Sequence, residues 1–275
     1  MPKVSLRSSR PVNVSVKRRE KTGEIMSSHS NDNTPLILAI DTATRAGSVA
    51  LARGASLLTQ LAGDKEASHS IDLIVTVEAA LKSVGVKLDE IDLFAAAAGP
   101  GSFTGLRIGL ASVKSFAMSV GRKCVGISTL AAIAYQAGSS AHSVALLPAG
   151  RGEVFAQLFS VDADGVRPLD DPAHLKPALV LEKYHEIEKL IWAGEGAQLI
   201  SQAISDQDLS ESQPGNWTLA PRRDELASSV AALAYGEYLS GRVTSPEQLR
   251  AIYVRPSDAE INEQWQSQSA ALLHP

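Results

Sequence analysis

Cysteine is almost absent from this chain: Cys124 is the only one among 275 residues. A lone cysteine closes no internal disulfide and supplies no multi-cysteine zinc or iron–sulfur site, so a reducing, cytoplasmic setting is expected. Long apolar runs are missing too. No uninterrupted stretch approaches the ~20 residues that cross a bilayer, which argues against a membrane protein. Nor is there an excess of basic charge, because 26 lysines and arginines stand against 30 acids, a formal net charge of −4 with a pI near 5.9. A broad, autonomous nucleic-acid surface is excluded on that balance, and nucleic acid must be met locally or through a partner.

What remains is the composition of an ordinary globular protein, 44% hydrophobic and 20% charged, long enough for one large domain or two lobes. The charge is unevenly placed. Residues 1–19 carry Lys3, Arg7, Arg10, Lys17, Arg18 and Arg19 and no acid. This leader has no apolar segment of the secretory kind; its basic, serine-containing composition is weakly compatible with an organellar transit peptide. It has no periodic apolar pattern and holds a second possible start at Met26, so residues 1–34 are expected to be a disordered or misassigned extension.

From Leu36 the pattern changes to short apolar strands and amphipathic helices. Strands are predicted at Leu36–Ile40, Ser48–Arg53, Leu57–Ala62, Leu93–Ala98 and Cys124–Ile127, and helices at about 68–84, 102–120 and from Ser128. A related beginning recurs at Val144–Leu147, with a turn at Pro148–Gly152 and a return strand at Glu153–Ser160. Helices follow at 178–190 and 224–239, with a strand at Leu190–Ala193 between them. The expected architecture is α/β, with a β-β-β-α-β-α plan duplicated in two lobes. Residues 35–137 form the N-terminal lobe, 138–245 the C-terminal lobe, 246–265 a segment packing back on the first lobe, and 266–275 a tail.

The densest local signal is Gly99-Pro100-Gly101-Ser102-Phe103-Thr104-Gly105-Leu106-Arg107-Ile108-Gly109, between a strand and a helix. Such a loop can hold a phosphate on its backbone N–H groups. It is neither a Walker loop nor GxGxxG, however, and a tight turn with Ser102 as helix N-cap explains it as well. Gly105 and Gly109 lie four apart on one helical face, each costing about 1 kcal/mol against alanine, so another backbone must come close there. Spacing does not say whether that neighbour is the protein's own sheet or a partner's helix. In the preceding helix Leu73, Val77, Leu81 and Val84 make one apolar stripe. Ile71, Ile74 and Val75 widen it beyond a single buried face, which favours association.

Catalytic constellations are thin. His69 has Leu73 at i+4, so no helical two-histidine metal pair exists there, and His142, His174 and His185 have no ligand spacing. Asp41 ends a strand at a hairpin, where a metal-bound phosphate or an Asx turn accounts for it equally. Ser102 is not in a G-x-S-x-G elbow.

The segments LILAIDTAT (36–44), SVALA (48–52), HSIDL (69–73), AGPGSFTGLRIGLASVK (98–114), VGIST (125–129), RGEVF (151–155) and AIYVRPSDAE (251–260) resemble the bacterial TsaB (YeaZ) family, in order over residues 36–260. The resemblance implies a two-lobed actin/Hsp70-like ATPase (ASKHA) fold. It also implies a role with TsaD and TsaE in making N6-threonylcarbamoyladenosine beside the anticodon of tRNAs that read ANN codons. In that system TsaB is the dimerisation partner of TsaD, and TsaD carries the chemistry. TsaD-like sequences place two metal-binding histidines where this chain has Thr129 and Ile133, which make no adequate ligand pair.

The expected role is therefore a non-catalytic subunit with no cofactor of its own, ATP and a metal ion belonging to TsaD and TsaE, and tRNA met through the complex. The expected partner interface is His69, Leu73, Val77, Ser102, Phe103, Gly105, Leu106, Gly109 and Val113, which a homodimer would share. Asp41 and Thr42 would be a vestigial nucleotide site. Many relatives have D-A-R where Pro148-Ala149-Gly150 stands, which puts a polar role for that hairpin in doubt. The alternative is a free-standing ATP-binding enzyme of the sugar-kinase/glycoprotease-like superfamily.

Overall fold

The computed structural model describes residues 34–45, 47–63, 69–206 and 216–254, without the side chains of 69–72 and 206. The expected leader up to Asn33, the tail at 266–275 and the side chain of His69 lie outside the described residues. All described residues belong to one unit, Thr34–Pro275.

The first sheet is built from β1 (Leu36–Asp41), β2 (Ser48–Arg53), β3 (Ser56–Ala62), β4 (Leu93–Gly99) and β5 (Lys123–Ser128), in the order β3-β2-β1-β4-β5. β1 is antiparallel to β2 and parallel to β4. Its run of apolar residues reflects burial on both faces. Leu36, Leu38 and Ile40 face one core, with Leu73, Val77 and Val113. Ile37 and Ala39, of opposite parity, face a second core. The first of these cores lies under α1 (His69–Val84) and α2 (Phe103–Val120). Ser102 caps α2 by accepting a hydrogen bond from Gly105 N at 3.2 Å, and Gly121, at φ 66°, closes it in the left-handed conformation.

The second sheet repeats this plan. It contains β6 (Ser140–Gly150), β7 (Glu153–Asp162), β8 (Gly165–Pro168), β10 (Lys189–Ala193) and β11 (Asn216–Leu219), ordered β11-β10-β6-β7-β8, with the short β9 (Ala173–Leu175) beside β7. With β6, β7, β8, β10 and β11 standing for β1 to β5, order and strand directions coincide. Its outer face is covered by α4 (Pro177–Tyr184) and α5 (Ala197–Asp206) around Val180, Leu190 and Trp192.

Two helices fill the space between the sheets. α3 (Thr129–Ala137) leaves the first sheet and packs on the second, and α6 (Ala227–Leu239) follows the second sheet and packs on β1 and β2. The helix expected at 178–190 ends at Tyr184, and β8, β9, α5 and β11 are elements the expected plan lacks: the three strands are only three or four residues long, whereas α5 carries Leu199, Ile200, Ala203 and Ile204 at helical spacing, a period that plan leaves out. α6 falls within the chain range expected for the C-terminal lobe but joins the core of the first sheet through Val230, Ala231 and Ala234. After it the chain bridges β5 at Cys124–Thr244 and crosses β4, where Ile252 N donates to Ala98 O at 2.7 Å.

Candidate functional site

The loop after β4 wraps the turn after β1. Ser102 N donates to Ala43 O at 2.9 Å, and Thr42 Oγ1 donates to Gly105 O at 2.6 Å. A Cβ at Gly101 would stand closer than 3.0 Å to Ala43 O, one at Gly105 equally close to Thr42 O, and one at Gly109 to Thr42 Oγ1. The close neighbour that the two helical glycines require is thus the chain's own Thr42. This corrects Gly105 and Gly109 as partner-contact residues: they are spent on internal packing.

The same correction applies to Leu73, Val77, Leu106 and Val113, which lie in the protein interior at 5%, 4%, 2% and 0% exposure. Of the residues expected at the interface, Ser102 and Phe103 are exposed. The outward face of α1 is carried instead by Ile74 and Val75, exposed at 51% and 61%. Their signal is present in the sequence, as the excess width of the apolar stripe, although the expected interface names the stripe residues Leu73 and Val77 and not this flank.

Asp41 is fully buried, and its carboxylate accepts from Ala43 N at 2.8 Å, from Thr44 N at 3.3 Å and from the Thr44 hydroxyl. This is the Asx-turn alternative realised. Opposite Asp41 in the β1–β2 register is Ser48, whose hydroxyl accepts from Leu226 N at 3.1 Å and Ala227 N at 3.0 Å at the start of α6. Gln60 Oε1 accepts from Ser228 N at 2.7 Å, and Gln136 Nε2 donates to Glu225 O at 2.6 Å. The β1–β2 hairpin and its neighbours therefore clamp a helix from the second half of the chain.

An actin-like fold implies a nucleotide held between its lobes, and the turn at Asp41–Thr44 has no room for one beside its carboxylate. The space lined by Asp41, Thr42, Ser48 and Thr76 has a volume of about 10 Å3, about the minimum for one water. After β10, where the duplicated plan offers a second glycine turn, a Cβ at Gly194 would collide with Leu146 O and Ile133, and one at Gly196 with Leu146. Asp41 and Thr42, expected as a vestigial nucleotide site, are built into the packing.

Thr129 and Ile133, the positions compared with metal ligands, are 0% and 5% exposed, and Thr129 Oγ1 accepts from Gly99 N at 3.2 Å. Among the described residues no group of three or more His, Cys, Asp or Glu side chains is disposed to hold a metal. His174 Nε2 lies 2.8 Å from a Glu153 carboxylate oxygen, so the hairpin strand β7 does carry a polar contact despite Pro148-Ala149-Gly150. His185 Nδ1 meets Glu182 O at 2.7 Å, within its own helix end. The thiol of Cys124 is pushed up to about 11 by burial, partly offset by Lys114. No helix among the described residues is long and apolar enough to cross a membrane.

Two sheets of one topology, with helices between and outside them, define an actin-like ATPase-type α/β fold. Two solved structures share it: YeaZ from Pseudomonas aeruginosa, 24% identical with a TM-score of 0.63 over 80% of this chain and 99% of that one, and a Pseudomonas aeruginosa protein described as similar to peptidase YeaZ, 25% identical with a TM-score of 0.66 over 80% and 100%. Residues 64–240 match the family model described as "TsaD: tRNA N6-adenosine threonylcarbamoyltransferase". The tRNA threonylcarbamoyladenosine biosynthesis protein TsaB of Escherichia coli is 28% identical over 219 residues, 78% of this chain and 94% of that protein. The TsaB of Haemophilus influenzae is 34% identical over 125 residues, 43% and 51% of the two chains. The chain belongs to the family this model describes, and within it to TsaB/YeaZ.

Proposed function

We propose that this chain acts in tRNA threonylcarbamoyladenosine biosynthesis as a non-catalytic cytoplasmic subunit that binds and positions TsaD, in a complex that includes TsaE. ATP and the metal ion act on those partners, and tRNA is met through the assembly. One observation carries this reading. The turn at Asp41–Thr44, where an actin-like fold would use a carboxylate near phosphate, has its polar groups committed to the chain's own backbone and to Thr44. Thr129 and Ile133, buried and without metal-binding chemistry, support the same division of labour.

The interface is assigned to the exposed surface of α1 and α2: Ile74 and Val75 on one helix, Ser102 and Phe103 at the start of the other. Two large apolar side chains more than half exposed at consecutive positions suit an apolar contact, and the same surface serves a homodimer when partner is scarce. The test is an Ile74→Glu/Val75→Glu variant in a strain lacking this chain. The expected result is native circular dichroism, loss of co-elution with TsaD on size exclusion, and loss of threonylcarbamoyladenosine by nucleoside mass spectrometry. Normal assembly by the variant, or ATP turnover by the purified chain alone, would overturn the reading. Asp41→Ala is unsuited to this purpose, because it strips buried N–H groups of their acceptor and reports on stability instead.

A further inference from the structure

Where the chain crosses β4 after α6 it sets an aromatic side chain beside the start of α2. Tyr253 is 51% exposed, and its ring centroid lies 6.2 Å from that of Phe103, 39% exposed, with an interplanar angle of 39°. The guanidinium of Arg107 covers Phe103 at 3.9 Å from the ring centroid. Two exposed rings with an arginine laid against one of them have large faces in water, and none of the packing described above needs them there.

Basic side chains extend from this point. Lys114 is two helical turns from Arg107 on α2, about 10 Å along the axis. Lys114 and Lys123 both act electrostatically on Cys124 and on Glu247, and Arg250 Nη1 donates to the main-chain carbonyls of Glu247 and Leu249, so these three cations and one acid share the start of the crossing segment. In a chain of net charge −4 this is a local reversal of sign. It meets the condition that the overall charge imposes, a local and not a broad nucleic-acid contact.

Resting on the function proposed above, we infer that Tyr253, backed by Phe103 and Arg107, is a stacking platform for an unpaired base of the tRNA, and that Lys114, Lys123 and Arg250 neutralise the adjoining phosphates. Aromatic faces with flanking cations bind single-stranded nucleic acid this way, the base stacking on the ring and the backbone tracking the charges. The charge complementarity selects RNA over an apolar protein segment, because three cations to one acid leave a net positive charge that an apolar partner would desolvate without compensation. Phe103 is shared with the TsaD surface, so the platform borders that interface and the RNA would lie where both subunits reach it.

Fluorescence anisotropy with a labelled, unmodified tRNA transcript tests this, both on the complex with TsaD and on the full chain alone. Tyr253→Ala is expected to weaken binding at least about five-fold, while Tyr253→Phe stays within about two-fold. A Lys114→Gln/Arg250→Gln double variant is expected to reduce the slope of log affinity against log salt by more than about 1, at ~0.7–0.9 per lost phosphate contact. Unchanged affinity and slope in these variants would overturn the inference, and so would loss of TsaD assembly in Tyr253→Ala, which would make the face a protein contact. If the parent chain and TsaD fail to associate, the proposed function falls, and the titration of the chain alone still decides the platform.

Discussion

Ser48 holds the start of α6, and replacing it with alanine isolates that contact. The hydroxyl is 3% exposed and accepts from two buried backbone donors, Leu226 N and Ala227 N, at 3.1 and 3.0 Å. Each buried donor left without an acceptor costs about 1–3 kcal/mol, and since one oxygen serves both, about 2–4 kcal/mol is expected for Ser48→Ala. The adjoining space of about 10 Å3 is lined by Ser48 itself. With the hydroxyl volume added, one water fits there and can take up the donors, which sets a lower bound of about 1 kcal/mol. With a urea slope of about 3 kcal/mol/M, the midpoint should fall by about 0.3–1.3 M. Hydrogen exchange should quicken at Leu226 and Ala227 before it does in β1. Gln60→Ala, which removes the acceptor of a part-buried donor, is the control and should cost less, about 1 kcal/mol. A Ser48→Ala midpoint equal to the parent's, with both amides still protected, would refute the clamp.

Gly105→Ala gains about 1 kcal/mol of helix propensity, yet its Cβ would press on the Thr42 carbonyl oxygen, an overpacking cost of about 1–3 kcal/mol, so net destabilisation is expected in a thermal melt. Gly109→Leu, with far more volume against the Thr42 hydroxyl, should fail to fold rather than fold and fail to assemble; a native-like dichroism spectrum would contradict that. Cys124 should be inert to a thiol reagent at pH 8 in the native protein and react fully in denaturant, because burial holds its thiol near 11. A thiol raised in the folded state lends stability below its unfolded value of about 9. That contribution should be lost as pH rises from about 9 towards 11, and a Cys124→Ala variant should lack this part of the decline in stability with pH.

The first half of the chain was largely legible. β1 to β5 and α1 to α3 lie close to where period-2 and period-3.6 patterns put them, because each buries a face wide enough to impose its period. The N-cap role of Ser102 was legible too, being set by residues within one turn. In the second half β8, β9 and β11 are three or four residues long, too short for a period to register.

By itself the sequence determined the two-lobed α/β plan, the motif-borne likeness to TsaB, the absence of histidines at 129 and 133, and the need for a backbone beside Gly105 and Gly109. Each of these is a matter of residue type or local spacing. Only the tertiary structure decided that the needed backbone is Thr42, that Ser48 binds a helix 178 residues further on, that Ile74 and Val75 are outside while Leu73 and Val77 are inside, and that Tyr253 rests on Phe103. Those are long-range contacts. Spacing along the chain states what a residue requires of its neighbour, and only the tertiary fold states which residue supplies it.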